Sequence, residues 1–380
     1  MKDKTSALHS EYIIDGVLMD VRPADMLSQS SDPKEGGYAP IVDESLDPPL
    51  TDEDYEAGKL AEYLALTSEG SGKPRFIDPA YSAFHTRLIL AASIIDTLWR
   101  EGHFGLADLS VDLRWDWDSA PVGNMSAFYR SVEAACEYLD GLGVRIAAYS
   151  FEEASGCMLT VNISLDAKAD EDFGEYEERA SAGVPEEFDD PALHKTMGSC
   201  RRCGSTASAP PSDWIIYVPF DTCDSRLGGS LLAGLLGRGG AAPDISDPDY
   251  FIDCYELLRE MVEDGVVKAG FTMGLGGMMT GLKAFLPPGT GMDVDLAGIM
   301  RGQEKGNVTS VLFSELPGVL IGISDSDYDY IDAEFLLQDV AYFPLGHPHR
   351  GKEGLRIVTA DSLSGILRAL LDGQVSEGED

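Results

Sequence analysis

Apolar residues recur along the first half of the chain with two different periods, which predicts helices alternating with a strand. An apolar face at helical spacing covers 84–98, with Asp78 as candidate N-cap and Pro79 at the first helical position. Residues 109–115 alternate between apolar and polar, as expected for a strand with one buried face. A second helical face covers 128–142. We therefore expect a helix, a strand and a helix in that order.

The same two periods continue to the C-terminus and predict an α/β (α+β) chain. Further strand-like runs are residues 12–19, 144–149, 158–165, 214–220, 292–296, 319–323 and 355–358. Further helices are predicted over 231–237, 248–265 and 331–338 and after Asp361, and a short one near 56–66 fits the pattern.

The stretch 266–286 combines a short apolar strand, a glycine-rich turn and a helix with Met278, Leu282 and Phe285 on one face. Backbone N–H groups of such a turn can hold an anion at a helix N-terminus. The turn carries no carboxylate and no lysine, so by itself it cannot hold Mg²⁺ or transfer protons. It is therefore either a ligand loop or the scaffold of one.

A second glycine turn, 226–230, also precedes a predicted helix. Arg226 beside Gly228, Gly229 and Ser230 fits phosphate binding. A tight strand-to-helix turn that needs glycine for packing fits equally well. The residues leave both interpretations open.

Cysteine and histidine spacing offers weak metal signals. Cys200 and Cys203 have the spacing of half a zinc site, but a second CxxC or an HxxxH is missing. His347 and His349 could chelate a metal, but the loop-like context favours a plain turn. We expect no metal site from either pair, with Cys200 and Cys203 as the weak candidate.

Charge restricts the classes of partner. The chain has 380 residues, with 66 acidic against 28 basic ones and a net charge of −38. This excess argues against nucleic acid and anionic membranes, and it predicts either a strongly solvated surface or a patch for a basic partner. No apolar run has the length of a membrane span, and the first residues lack a signal-peptide pattern, so we expect a cytoplasmic protein.

Composition shifts divide the chain into four parts. Residues 1–75 form a strand and an irregular acidic segment, 76–165 a first domain, 166–211 a linker rich in acidic and small residues, and 212–375 a second domain.

Several segments in the same order resemble the C-terminal half of the phosphoribosylformylglycinamidine synthase family, in the aminoimidazole-ribonucleotide synthetase superfamily. The best-matching ones are IDPAYSAFHTRLILAASIIDTL, LSVDLRW, APVGNMSAFYRSVEAACEYLDGLGVRI, HKTM, SRLGGSLLAGLLG, DCYELLREMVEDGVVKAG, GLGGMMTGL and LFSELPGVLIGI. The resemblance implies a two-domain fold, with a mixed-sheet N-terminal domain and a C-terminal α/β domain. It also implies ATP-dependent chemistry, in which nucleotide and Mg²⁺ lie between the domains.

The departures from the family are concentrated where it keeps metal ligands and proton carriers. Neutral or apolar residues stand at most of these positions, and the family's His-Asp and Ser-Asp-Gly-Gly signature falls on 271–277. The candidate cofactor-binding residues, which fall on the family's nucleotide site or its scaffold, are Asp96, Asn124, Lys195, Arg226, Gly228, Gly229, Ser230, Thr272, Gly276, Gly277 and Glu315. We assign no catalytic residue, and we expect ATP or ADP with Mg²⁺ only if the ancestral site survives.

Three functional hypotheses follow. The leading one is a non-catalytic structural or regulatory subunit in purine biosynthesis, either a homodimer or associated with another synthase-like chain. The second is an active ATP-dependent carbon–nitrogen ligase completed by a partner chain, or one with relocated carboxylate ligands. The third is a small-molecule binding protein that uses the cleft between the domains.

Overall fold

The computed structural model describes residues 7–29, 62–63, 67, 76–100, 104–165, 203, 207, 213–237, 239–303, 307–350 and 354–358. Their contacts form two compact units. The first takes the described residues within 1–36, 75–203 and 251–267, and the second those within 37–74, 204–250 and 268–380.

The described residues include nine α-helices and twelve strands with defined bounds, and Glu62, Tyr63 and Thr67 are also helical. The helices are α1 Pro23–Gln29, α2 Ser82–Arg100, α3 Asn124–Gly141, α4 Leu231–Leu235, α5 Pro248–Glu263, α6 Gly277–Phe285, α7 Ala297–Gly302, α8 Val308–Phe313 and α9 Tyr328–Leu337. The strands are β1 Ile13–Ile14, β2 Val17–Leu18, β3 Leu109–Trp117, β4 Arg145–Glu153, β5 Met158–Leu165, β6 Asp213–Pro219, β7 Ala269–Thr272, β8 Thr290–Val294, β9 Gly318–Ser324, β10 Phe343–Gly346, β11 Pro348–Arg350 and β12 Gly354–Ile357.

A mixed three-stranded sheet forms the first unit, with β3 parallel to β4 and antiparallel to β5. Alternate residues of β3 are buried, including Trp115 and Trp117, because a strand points successive side chains to opposite faces. The Trp115 indole donates to the Ser131 hydroxyl of α3 at 2.9 Å. That hydroxyl lies 2.7 Å from the hydroxyl of Thr86 in α2. These buried hydrogen bonds fix both helices on one face of the sheet.

Helix α5 packs into the first unit from Phe251 onward. The ring of Phe251 meets Tyr138 edge-on at 6.0 Å. The Tyr255 hydroxyl lies 2.8 Å from the hydroxyl of Thr97. The apolar face of α5 is therefore anchored in the first unit by ring packing and by a buried hydrogen bond.

Two sheets form the second unit. One is antiparallel, in the order β10-β6-β9-β7, and the other has β8 antiparallel to β11 and parallel to β12. The apolar face of α6 packs into this unit's core through Met278, Leu282 and Phe285, as its spacing predicts. The predicted α/β fold with a mixed-sheet first domain is confirmed. No helix among the described ranges is long and apolar enough to cross a membrane.

Two local predictions need correction, and three short helices were not predicted. Residues 12–19 form a hairpin instead of one strand, because Asp15 and Gly16 take positive φ of 51° and 81°. The predicted turn at His347 and His349 is wrong, since Pro348–Arg350 pairs with β8. Helices α1, α7 and α8 lacked a readable pattern, because short helices present too few turns for periodicity.

The structure leaves several sequence predictions untested. The helices expected near 56–66 and after Asp361 lie largely or wholly outside the described residues. Most of the linker at 166–211 also lies outside them, so the division into 1–75, 76–165, 166–211 and 212–375 stays a prediction.

The C-terminal end of α9 supplies a stability prediction. Asp339 has φ of 56°, and the next N–H, of Val340, donates to the Phe335 carbonyl at 3.0 Å. This helix end normally favours glycine, which has no Cβ to strain there. Asp339→Gly should therefore raise the free energy of unfolding by about 1 kcal/mol in chemical denaturation.

The neighbouring residue gives the matched control. Gln338 has φ of −90°, so Gln338→Gly gains no relief of strain and should lower stability by roughly 0.5–1 kcal/mol. Equal effects at Asp339 and Gln338 would contradict the assigned strain.

Candidate functional site

The two glycine-rich turns and one buried carboxylate meet at the same edge of the antiparallel sheet of the second unit. Strands β6 and β7 both run antiparallel to β9, so their C-terminal ends lie beside its start, with Pro219 opposite Gly318 and Thr272 opposite Val319. The turn after β6 leads to α4 and the turn after β7 leads to α6, while Glu315 comes just before β9. Topology therefore brings three distant segments together.

Glu315 joins the two turns. Its side chain is 2% exposed, and one carboxylate oxygen, Oε1, accepts hydrogen bonds from the backbone N–H groups of Leu231 and Gly276, each at 2.8 Å. Leu231 is the first residue of α4, and Gly276 is the N-cap of α6. A single carboxylate thus accepts from the starts of two helices, where backbone donors lack partners within the helix.

Burial dominates the ionisation of Glu315. Desolvation raises the pKa of its carboxyl from 4.5 to about 7, although the two backbone hydrogen bonds lower it. Near neutral pH this group therefore exists in both protonation states.

The turn before α6 requires glycine at two successive positions. Gly276 and Gly277 have φ of 79° and 63°. A Cβ at Gly277 would lie 2.5 Å from the Ser314 carbonyl oxygen, and one at Gly276 would lie 2.2 Å from the Thr280 hydroxyl. Backbone conformation and space both exclude a side chain here.

The turn before α4 is equally tight. A Cβ at Gly228 would lie 2.3 Å from the Gly240 carbonyl, and Gly229 has φ of 76°. Ser230 caps α4, its hydroxyl accepting from the Ala233 N–H at 3.3 Å. The packing interpretation of this turn thus has a direct structural basis.

Several backbone donors of each turn are hydrogen-bonded within the protein. In the first turn, N–H groups of Arg226, Gly228 and Ser230 donate to the Ser314 hydroxyl, the Ala241 carbonyl and the Leu227 carbonyl. In the second, the N–H groups of Met273 and Gly277 donate to the carbonyls of Gly318 and Gly274. An anion could bind these groups only by displacing these internal acceptors.

Tyr63 covers the second turn. Its hydroxyl donates to the Gly276 carbonyl at 3.2 Å, and its ring meets Phe313 edge-on at 5.8 Å. Burial raises the pKa of the Tyr63 hydroxyl well above its usual value. Sequence reasoning missed this residue, because it lies in an irregular acidic segment without strong periodicity.

The structure brings together seven of the residues selected from the sequence, all in the second unit. They are Arg226, Gly228, Gly229, Ser230, Gly276, Gly277 and Glu315. Thr272 ends β7 and is half-buried, immediately before the second turn.

Two other selected residues lie in the first unit. Asp96 is half-buried in α2. Asn124 begins α3, where its amide donates to the Asp118 carbonyl and its own carbonyl accepts from the Trp117 indole, each at 2.9 Å. Asn124 therefore holds the loop that connects β3 to α3.

The remaining candidates concern metal binding and the linker. Lys195 and Cys200 lie outside the described residues. Burial raises the pKa of the Cys203 thiol to about 12, which disfavours the thiolate that binds metals. Within the described ranges, no group of three or more His, Cys, Asp and Glu side chains is placed to hold a metal ion.

Comparisons with known proteins agree with this fold. A probable phosphoribosylformylglycinamidine synthase, chloroplastic/mitochondrial, of Arabidopsis thaliana is 24% identical over 275 residues, covering 71% of this chain and 18% of that protein. The Homo sapiens phosphoribosylformylglycinamidine synthase is 25% identical over 155 residues, covering 40% of this chain and 11% of that protein. No known family profile matches the chain.

A comparison with solved structures shows that the fold is similar as well. Thermotoga maritima PurL complexed with FGAR aligns with a TM-score of 0.53 at 12% identity, covering 78% of this chain and 45% of that chain. The predicted resemblance is confirmed: the chain is similar in sequence to phosphoribosylformylglycinamidine synthases and has an aminoimidazole-ribonucleotide-synthetase-like fold. It spans less than a fifth of the length of the two curated relatives.

Gly277 provides the first test of the site's packing. Gly277→Ala places a methyl group against the Ser314 carbonyl, which is backbone and cannot turn away, so we expect a loss of at least about 3 kcal/mol in the free energy of unfolding. Gly237 has a nearly identical φ of 64° but open space at its Cβ, so Gly237→Ala should cost only about 1 kcal/mol. Similar losses in denaturant titrations would contradict the close packing at Ser314.

Glu315 provides a pH-dependent test. Because the folded-state pKa of about 7 exceeds the ordinary 4.5, this group's contribution to stability is full below about pH 4.5 and is lost as the pH rises through 7. Glu315→Gln retains an acceptor without the charge. Between about pH 5.5 and about pH 8.5, wild-type stability should fall by roughly 2 kcal/mol relative to this variant.

Glu260→Gln is the control for Glu315→Gln, because it removes a carboxylate with an exposed side chain, 66% accessible. Its unfolding free energy should run parallel to that of the wild type across the same pH range. A parallel profile for Glu315→Gln as well would contradict the role of burial at Glu315.

Proposed function

We propose that this chain is a non-catalytic structural or regulatory subunit of a phosphoribosylformylglycinamidine synthase-like system in purine biosynthesis. The observation that supports it most is the position of Glu315, whose carboxylate already neutralises the starts of both helices at the glycine-rich turns. These turns are where an anion-binding loop would offer its N–H groups. An internal carboxylate takes the place of an external phosphate.

Electrostatics supports the same proposal. A phosphate brought to these turns would meet the charge of Glu315 whenever that carboxylate is ionised, and repulsion between like charges weakens binding. The end of β7 and the turn before α6 have neutral side chains at Phe271, Thr272 and Leu275. These side chains offer no charge to hold a metal that would bridge the two anions. The fold persists because the glycines of both turns and their packing are retained, while the side chains that would bind metal and phosphate are absent from the turn before α6.

Partners belong to the same proposal. We infer a homodimer or association with another synthase-like chain, since a non-catalytic subunit would act through its partners. A cytoplasmic location, and the absence of nucleic-acid and membrane partners, stay predictions from the charge and the sequence.

The decisive experiment is calorimetric titration of the purified chain with ATP and with ADP, each with and without Mg²⁺. We expect no binding with a dissociation constant below about 1 mM. The unfolding temperature, measured with the same nucleotides, should stay constant, because a ligand that binds the folded state raises it.

Other results of the nucleotide titrations would favour one of the alternative functions. Mg²⁺-dependent binding by the chain alone would contradict the proposal and favour an active ligase. Binding without any Mg²⁺ dependence would favour a small-molecule binding protein. Nucleotide binding that requires a co-purified synthase-like chain would favour a ligase completed by its partner.

A further inference from the structure

Helix α9 is anchored by one face and exposes apolar side chains on the other. Ile331 and Phe335 are buried completely, whereas Tyr330, Leu336 and Leu337 are 45%, 70% and 76% exposed. Positions three, four and seven apart on a helix share a face, so Leu337 lies on the same side as Tyr330, with Leu336 beside it. These three side chains form what we call the α9 stripe.

Acidic residues surround the α9 stripe. The segment from 325 to 339 contains no Lys or Arg. Its acidic residues are Asp325, Asp327, Asp329, Asp332, Glu334 and Asp339. Carboxylates at a helix N-terminus are favoured by the helix dipole, but Glu334 and Asp339 lie in the C-terminal part, where the dipole opposes them. Helix stability therefore does not account for the charge next to the exposed leucines.

Two of these carboxylates hold the helix in place. The Trp214 indole donates to Asp325 at 2.9 Å, and the Tyr342 hydroxyl donates to Asp332. None of the six acidic residues takes part in a salt bridge with a Lys or Arg of the described ranges. The negative charge around the stripe is consequently not compensated there.

We propose that the α9 stripe and its acidic rim form a docking surface for a basic amphipathic helix of a partner protein. The stripe requires apolar side chains opposite it, and the rim requires Lys or Arg beside them, which together define such a helix. A second copy would bring the same acidic rim and a net charge of −38, so repulsion disfavours it. The inference goes beyond the proposed function, since it does not depend on nucleotide binding.

The test uses the full chain and three synthetic peptides of equal length. The first places leucine at helical spacing with lysine on its flanks, the second scrambles the same composition, and the third replaces each lysine with glutamate. At about 0.15 M salt, where long-range attraction is screened, the first peptide should bind at least about tenfold more tightly than the second. The glutamate peptide should not bind.

Matched variants locate the binding. Leu336→Gln combined with Leu337→Gln should weaken binding of the first peptide at least about tenfold, since burial of the two leucines is lost. Val122→Gln, at a valine 104% exposed in the first unit, should leave it unchanged. Circular dichroism verifies that each variant is folded.

A second pair of variants separates charge on α9 from total charge. Asp329→Asn with Asp339→Asn should weaken binding and reduce its salt dependence. Asp249→Asn with Asp253→Asn removes two exposed carboxylates from α5 and should have little effect. Equal effects of the two pairs would overturn the proposal.

Two further results would overturn it. Equal binding of the ordered and scrambled peptides would mean general attraction to a negative protein. A wild-type dimer that the two leucine substitutions convert to monomers would assign the stripe to a second copy of this chain. Nucleotide titrations of the same samples are independent of both results.

Discussion

The second unit depends on one buried carboxylate that serves two helix starts. Glu315 accepts from the N–H groups of Leu231 and Gly276, and these bonds connect the turn after β6 to the turn after β7. Removal of one partner in such an arrangement leaves buried polar groups without hydrogen bonds, which is costly. Both turns also need glycine, because a Cβ at Gly228 would lie 2.3 Å from the Gly240 carbonyl oxygen and one at Gly277 2.5 Å from the Ser314 carbonyl oxygen.

The same interaction connects the fold to its proposed role. A glycine-rich turn at a helix N-terminus is a place where phosphate can bind. Here several donors at that place are hydrogen-bonded to Glu315 and to neighbouring carbonyls. In the proposed role, the ionised Glu315 side chain takes the place of a bound anion at these turns. Under the proposed role the chain acts through partner contacts, for which we propose the surface on α9.

Prediction from sequence was most successful for long elements and least successful for short ones. Helices α2, α3 and α5 and strands β3 and β5 follow from hydrophobic periodicity, since each repeats its pattern over several turns or pleats. Helices α7 and α8 have six residues each, which is too short for a helical repeat of apolar residues to be recognised in the sequence. Glu315 was selected only through the resemblance, and its role as an acceptor for two turns required the sheet register. Tyr63 was missed, because its contact with Gly276 spans 213 positions.

The sequence by itself determined the periodic helices and strands, the glycine positions, the acidic charge and the family resemblance. These properties are local, or depend only on the order of segments along the chain. Tertiary structure alone decided that the turns before α4 and α6 share Glu315, that Tyr63 covers one of them, and that Leu336 and Leu337 face outward. The physical reason is that hydrogen-bond partners and burial depend on contacts between distant segments, here set by the antiparallel pairing of β6 and β7 with β9.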